Sequence, residues 1–290
     1  MSPYELLIAP FYDFAFMRRA LAGSIALSAG AAPVGVFLML RRMSLVGDAM
    51  AHAILPGAAI AFLLFGLSII PMTIGGIAAG LLVVIASGLV ARSTRLMEDA
   101  SLAAFYLISL SLGVLIVSAK GTAVDLMHVL FGSVLALDDA ALFVLGLSAT
   151  LSLFALAVII RPLVMECVDP TFIKVAGGGG AAAHMAFLVL LVVNLVAGFQ
   201  ALGTLLSVGI MMLPALAARF WADSLSKMMA VSVLIAMGSS FAGLVVSFHL
   251  SLASGPAIAL AAGVAYIVSV FAGPSGGLIW ELLPQRHHTA

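Results

Sequence analysis

The sequence predicts an all-α fold, a polytopic transmembrane helical bundle of about 8–9 spans with a short cytoplasmic helix between two of them, and three observations carry the helical membrane class. Of the 290 residues, 64% are hydrophobic and only 8% charged, against about 25% charged in soluble domains. Apolar runs near twenty residues recur from end to end, the length a helix needs to cross a hydrocarbon core of about 30 Å. The runs are continuous, whereas barrel strands would show short alternating segments.

The balance of charge narrows the function further. Twelve basic and twelve acidic residues cancel, so no basic surface is offered to nucleic acid. Cys167 is the only cysteine, which excludes an internal disulfide framework and a thiolate metal cluster. The N-terminus lacks the basic, apolar and cleavage-site order of a signal peptide, so the first span is expected to insert uncleaved.

The chain reads as a single transmembrane domain, 1–290, with four parts that are not read as spans. Residues 1–19 carry Pro10, Glu5 and Asp13 within an apolar, aromatic stretch and read as an N-terminal interfacial segment. Spans are expected at about 20–40, 47–66, 71–91, 100–118, 138–160, 181–199, 202–219, 228–247 and 255–272. Residues 120–137 are too short and interrupted for a confident span and read as a partial or re-entrant helix. The longest polar interruption is the loop 161–180, RPLVMECVDPTFIKVAGGGG. Within it, Asp169 and Pro170 form a helix start, an N-cap acid followed by proline at the first helical position. Such a helix serves either as a plain connector or as a docking element for a soluble partner. The tail occupies 273–290.

Lys and Arg orient the chain. If the turn at 41–47 is cytoplasmic, nine of the twelve are too, and only Arg18, Arg19 and Lys120 fall outside. The N-terminus is therefore expected outside, with the C-terminus in the cytoplasm.

One stretch places chemistry inside the hydrocarbon. In RRMSLVGDAMAHAILPG, residues 41–57, a rise of about 1.5 Å per residue puts Asp48 roughly 9 Å and His52 roughly 15 Å past Arg42. Their four-residue spacing gives them one helix face. Pro56 has no N–H to offer the His52 carbonyl. A carboxylate, an imidazole and a freed carbonyl suit a divalent first-row cation in transit. A structural Asp–His hydrogen bond and a proton relay compete with that reading. An intramembrane acid costs about 2.5–3.5 kcal/mol on insertion scales, which disfavours an idle one. His128 and His249 are further candidate ligands, expected at the external vestibule. His184 is expected to be interfacial, and Met211 and Met212 to be core. Glu98 and Asp99 read as acids that stabilise a helix N-terminus.

Two absences matter. The chain has no GxxxxGK[ST] phosphate loop and no HExxH, so it is not expected to hydrolyse ATP itself or to act as an enzyme.

The block RRMSLVGDAMAHAILPG resembles the pattern RRM-x-x-x-GD-x-x-x-HA-x-x-PG of the zinc/manganese/iron ABC transporter permeases, the ABC-3 family. The likeness continues through VDLMHVLFGSVLALDD, ECVDPTFIKVAG, ALGTLLSVGIMMLPALAARF and SFHLSLASGPAIAL. It implies a homodimeric inner-membrane permease in the lipid bilayer, with separate cytoplasmic ATPase subunits and an extracytoplasmic metal-binding protein. It also implies that Asp48 and His52 meet the metal transiently. Asp169, Pro170, Phe172 and Lys174 would then lie in the helix that couples to the ATPase. No cofactor is expected to be held permanently, and Zn2+ or Mn2+ is the cargo. Where many relatives carry an outer acid, this chain has Ser251, with His249 two residues before it. The count of imidazoles over carboxylates tilts the expected cargo to zinc, with manganese or iron as the alternative. A proton-coupled secondary metal transporter is the reading from another class.

Overall fold

The computed structural model describes residues 3–66, 68–94, 96–119, 134–168 and 179–279, and the regular structure among them is helical. Two short helices, α1 (Pro3–Leu7) and α2 (Ala9–Asp13), lead into α3 (Ala15–Leu40). A tight turn enters α4 (Ser44–Ala53), which continues as α5 (Leu55–Phe65). Then come α6 (Ile69–Ser93) and α7 (Glu98–Ala119). A single 3-10 turn, Val134–Ala136, precedes α8 (Asp139–Val168). The series ends with α9 (Gly180–Leu202), α10 (Thr204–Ala218), α11 (Leu225–Leu250) and α12 (Ser254–Ala272).

Eight stretches among the described residues are long and apolar enough to cross a membrane: α3, Val46–Phe65 across α4 and α5, and α6, α7, α8, α9, α11 and α12. The seventh of the nine expected spans, 202–219, falls short. Helix α10 has 15 residues, about 22 Å at 1.5 Å each. It packs against α3, α4, α9, α11 and α12, and most of it is buried. Enclosed by protein, it is under no demand to match the lipid. Gly203, at φ 94°, makes the reversal from α9 into α10 without a loop, a conformation that glycine adopts at no steric cost.

Other boundaries move as well. Helix α3 starts at Ala15, five residues before the expected span, and so takes in the end of the 1–19 segment. Helix α8 runs on through Arg161 and Pro162 to Val168, so the first eight residues of the expected 161–180 loop are helical. The expected helix from Asp169, with Pro170, Phe172 and Lys174, lies outside the described residues, as do His128, most of 120–137, and His287 and His288.

The outward surface explains the composition. Leu82, Leu115, Phe143, Phe154, Leu234 and Leu260 are all exposed on the helices, which suits lipid and not water. Inside, hydrocarbon offers no partner for polar groups, so they bond within the protein. Asn194, 1% exposed, donates from Nδ2 to Ser152 Oγ at 2.6 Å and to the Leu190 carbonyl at 2.8 Å. Ser28 and Ser240 donate to carbonyls four residues back in their own helices, and Ser207 to that of Gly203, the residue before α10. Met211 and Met212 are core, as expected, and His184 is 5% exposed, more deeply buried than an interfacial position implies.

Close helix contact depends on missing side chains. A Cβ on Gly35 of α3 would collide with the Met211 carbonyl of α10, and one on Gly57 of α5 with the Gly75 carbonyl of α6. With lipid tails as apolar as leucine, this close packing, and not a hydrophobic drive, draws membrane helices together.

Candidate metal path

The site begins at the turn between α3 and α4. Arg41 N–H donates to the Phe37 carbonyl at 3.0 Å, Arg42 to Met39 at 3.1 Å and Met43 to Leu38 at 2.9 Å. The last two bonds satisfy carbonyls that a helix end otherwise leaves orphaned. They require Arg42 in the left-handed region, at φ 58°, where glycine is the usual occupant. The turn is thus locked by backbone bonds despite an unfavourable residue.

From it α4 projects Asp48 and His52 on one face. In the single chain Asp48 is exposed and His52 half-buried. Among the described residues neither has a hydrogen-bond or ion-pair partner, so no Asp48–His52 hydrogen bond forms. This leaves both side chains available to a passing ligand.

The helix then breaks at Ile54, with Pro56 in the first turn of α5. Pro56 cannot donate, and the His52 carbonyl instead receives the Ile54 N–H. The break also leaves the Ala53 carbonyl to a side chain: Ser109 of α7 donates to it from Oγ at 2.7 Å. Backbone bonding resumes when Ala58 N–H meets the Ile54 carbonyl at 3.2 Å. The expected free carbonyl at His52 is therefore taken, and the opening in the ladder lies one residue later.

A cavity of about 320 Å³ lies between α4 and α7. Asp48 and Asp99 line it together with Arg42, Tyr106, Met43 and Leu102. Asp99 was legible only as a helix-terminus acid, because nothing in the sequence pairs α4 with α7. Counted along α7, Tyr106 stands about 10 Å deeper than Asp99, so the cavity leads from the level of Asp48 to the helix ends at Arg42. Beside it, α5, α6 and α7 frame an almost wholly apolar groove of about 640 Å³, with Pro56, Ile60, Leu64 and Ile74 on its walls.

The other histidines lie elsewhere. His249, in the last turn of α11, has Nε2 2.8 Å from the Leu6 carbonyl of α1. Phe14 packs on the neighbouring Phe248 at 5.4 Å between ring centroids, and Phe11 stacks on Phe241 at 5.2 Å. These contacts tie the N-terminal segment to α11. No group of three or more His, Cys, Asp or Glu that could hold a metal occurs among the described residues. Asp48 and His52 thus belong to no closed ligand shell among the described residues.

The sequence profile of the ABC 3 transport family matches residues 13–273. This chain belongs to that family. It is a multi-pass membrane permease of the ABC transporter type. Among its relatives, the manganese import system permease protein ScaB of Streptococcus parasanguinis is 33% identical over 273 residues, covering 92% of this chain and 96% of the relative. The manganese transport system membrane protein MntC of Halalkalibacterium halodurans is 31% identical over 283 residues, covering 96% and 94%. The chelated iron transport system membrane protein YfeD of Yersinia pestis is 29% identical over 267 residues, covering 92% and 88%. Among solved structures, PsaBC from Streptococcus pneumoniae in complex with Fab superposes with a TM-score of 0.82 at 31% identity, covering 94% of the permease and 96% of that chain. The relatives favour manganese over zinc, so the expectation of zinc is not supported.

Proposed function

We propose that this permease carries manganese into the cell as the membrane-spanning subunit of an ATP-driven importer, with Asp48 and His52 as transient ligands. The observation that carries the reading is an exposed carboxylate and a half-buried imidazole, both without partners among the described residues, on one face of a membrane helix. Facing lipid, Asp48 would cost about 2.5–3.5 kcal/mol. A second copy packed over this face removes that cost and brings two such pairs together, which supports a homodimer.

The tilt toward zinc rested on counting imidazoles. His249 has the Leu6 carbonyl as a partner, which lowers the count, while Asp99 joins Asp48 on the cavity wall and adds an oxygen donor. Carboxylate oxygen suits manganese better than nitrogen does. Two manganese importers among the relatives support the same cargo, with iron as the nearest alternative.

By the expected order of spans, nine of the twelve Lys and Arg would fall on the side of Arg41, which supports a cytoplasmic position for it, with the N-terminus outside. At that end the Asp169–Ala176 segment would receive a separate ATPase, through Phe172 and Lys174 among others. A metal-binding protein would load the opposite end.

The test is uptake into vesicles that contain the permease with its ATPase and binding protein. ATP-dependent accumulation of radioactive manganese, exceeding that of zinc under the same conditions, is the expected result. Accumulation of zinc without manganese would overturn the cargo, and uptake driven by a proton gradient without ATP would overturn the importer.

A further inference from the structure

We propose that Arg41 and Glu166 form a buried ionic link that carries motion from the end of α8 to the start of α4, making both of them positioning residues for Asp48 and His52. The proposal rests on the reading of the chain as an ATP-driven permease.

Arg41 Nη2 lies 3.3 Å from Glu166 Oε1, with the two side chains only 12% and 15% exposed. The guanidinium also sits 5.5 Å from the ring centroid of Phe187 in α9, so three helices meet at one charge. The second nitrogen, Nη1, and the second oxygen, Oε2, are buried without a hydrogen-bond partner among the described residues. A fork-to-fork pair would use all four atoms. This one uses half of them.

A buried pair of that quality adds little to stability, because desolvating two charges offsets their attraction. Its place in the chain gives the better account. Glu166 stands three residues before Asp169, in the last turn of α8. Arg41 is the first residue after α3, and the turn that follows is fixed by the bonds of Arg42 and Met43. From that turn α4 rises rigidly to Asp48, seven residues beyond Arg41. A displacement of the α8 end therefore reaches Asp48 through one ion pair, one locked turn and a short length of helix. The unused nitrogen and oxygen give the pair a second, two-contact arrangement, so the link has two states that a partner at the α8 end can bias.

Removing one partner would strand a buried charge and could unfold the protein. The informative variant is the double replacement Arg41→Met with Glu166→Leu, made in the full transporter in vesicles. We expect this variant to keep its melting temperature and its ATPase association. Its ATP-coupled uptake should fall by about tenfold, within the range that residues in coupling networks produce. The maximal rate should drop while the metal concentration for half-maximal uptake holds. The charge exchange Arg41→Glu with Glu166→Arg should recover more uptake than either single exchange. Full transport by the apolar pair would overturn the link, and so would a charge exchange no better than its parts. A wild type without ATP-dependent uptake would overturn the proposed function itself, and the link with it, which separates the two failures.

Discussion

Ser109 of α7 donates from Oγ to the carbonyl of Ala53, the last residue of α4, at 2.7 Å. The bond crosses from one helix to the next at the point where Pro56 interrupts the ladder. It fixes the break directly after His52, and so fixes the imidazole. Ser109→Ala would leave the Ala53 carbonyl unpaired in a buried site, at a cost of about 1–3 kcal/mol. A lower melting temperature in detergent together with reduced uptake is expected, and an unchanged melting temperature would show that the bond contributes nothing.

Asp48 and Asp99 line one cavity from opposite helices, but only Asp48 shares a face with His52. Asp48→Asn and His52→Ala should each abolish most manganese uptake while leaving a folded, membrane-inserted permease. Asp99→Asn should slow uptake less and leave the apparent affinity for metal intact, because Asp99 stands at the end of the proposed route. Initial rates in vesicles at several manganese concentrations decide the order. Equal uptake by wild type and Asp48→Asn would remove Asp48 from the path.

His249 is expected to act as an anchor for the N-terminal segment through the Leu6 carbonyl. His249→Ala should therefore retain uptake close to that of the wild type while residues before Phe14 become more accessible to protease. Loss of uptake with no change in protease cutting would instead favour a ligand role.

Gly57 and Gly75 hold α5 and α6 at backbone contact, where a Cβ on either meets the other's carbonyl. Gly57→Val should push the helices apart, at a cost of about 1–3 kcal/mol or more for overpacking. It should also shift Pro56 and with it the break after His52. A melting temperature equal to wild type would mean that the neighbouring helix gives way without cost.

How much of this was legible in the sequence differs from residue to residue. The helical class follows from the recurrent apolar runs, since lipid leaves a spanning backbone no other self-satisfied form than a helix or a closed barrel. The shared face of Asp48 and His52 follows from helical spacing alone. Helix α10 was read as a span because its composition is that of one, while its 15 residues pack against five other helices. The imidazole of His249 was counted toward metal because its partner, the Leu6 carbonyl, stands 243 residues away in the chain.

The sequence by itself determined the class, the membrane setting, the spans other than α10 and the carboxylate and imidazole placed within them. Those depend on composition and on distances along one helix, which the chain spells out. The tertiary structure alone decided that Ser109 closes the ladder at Ala53, that Asp99 joins Asp48 at a cavity, and that Arg41 meets Glu166. Each of these joins residues at least 51 positions apart. Such contacts are set by how close two helices can approach, and that depends on the small residues and partner carbonyls of both surfaces together.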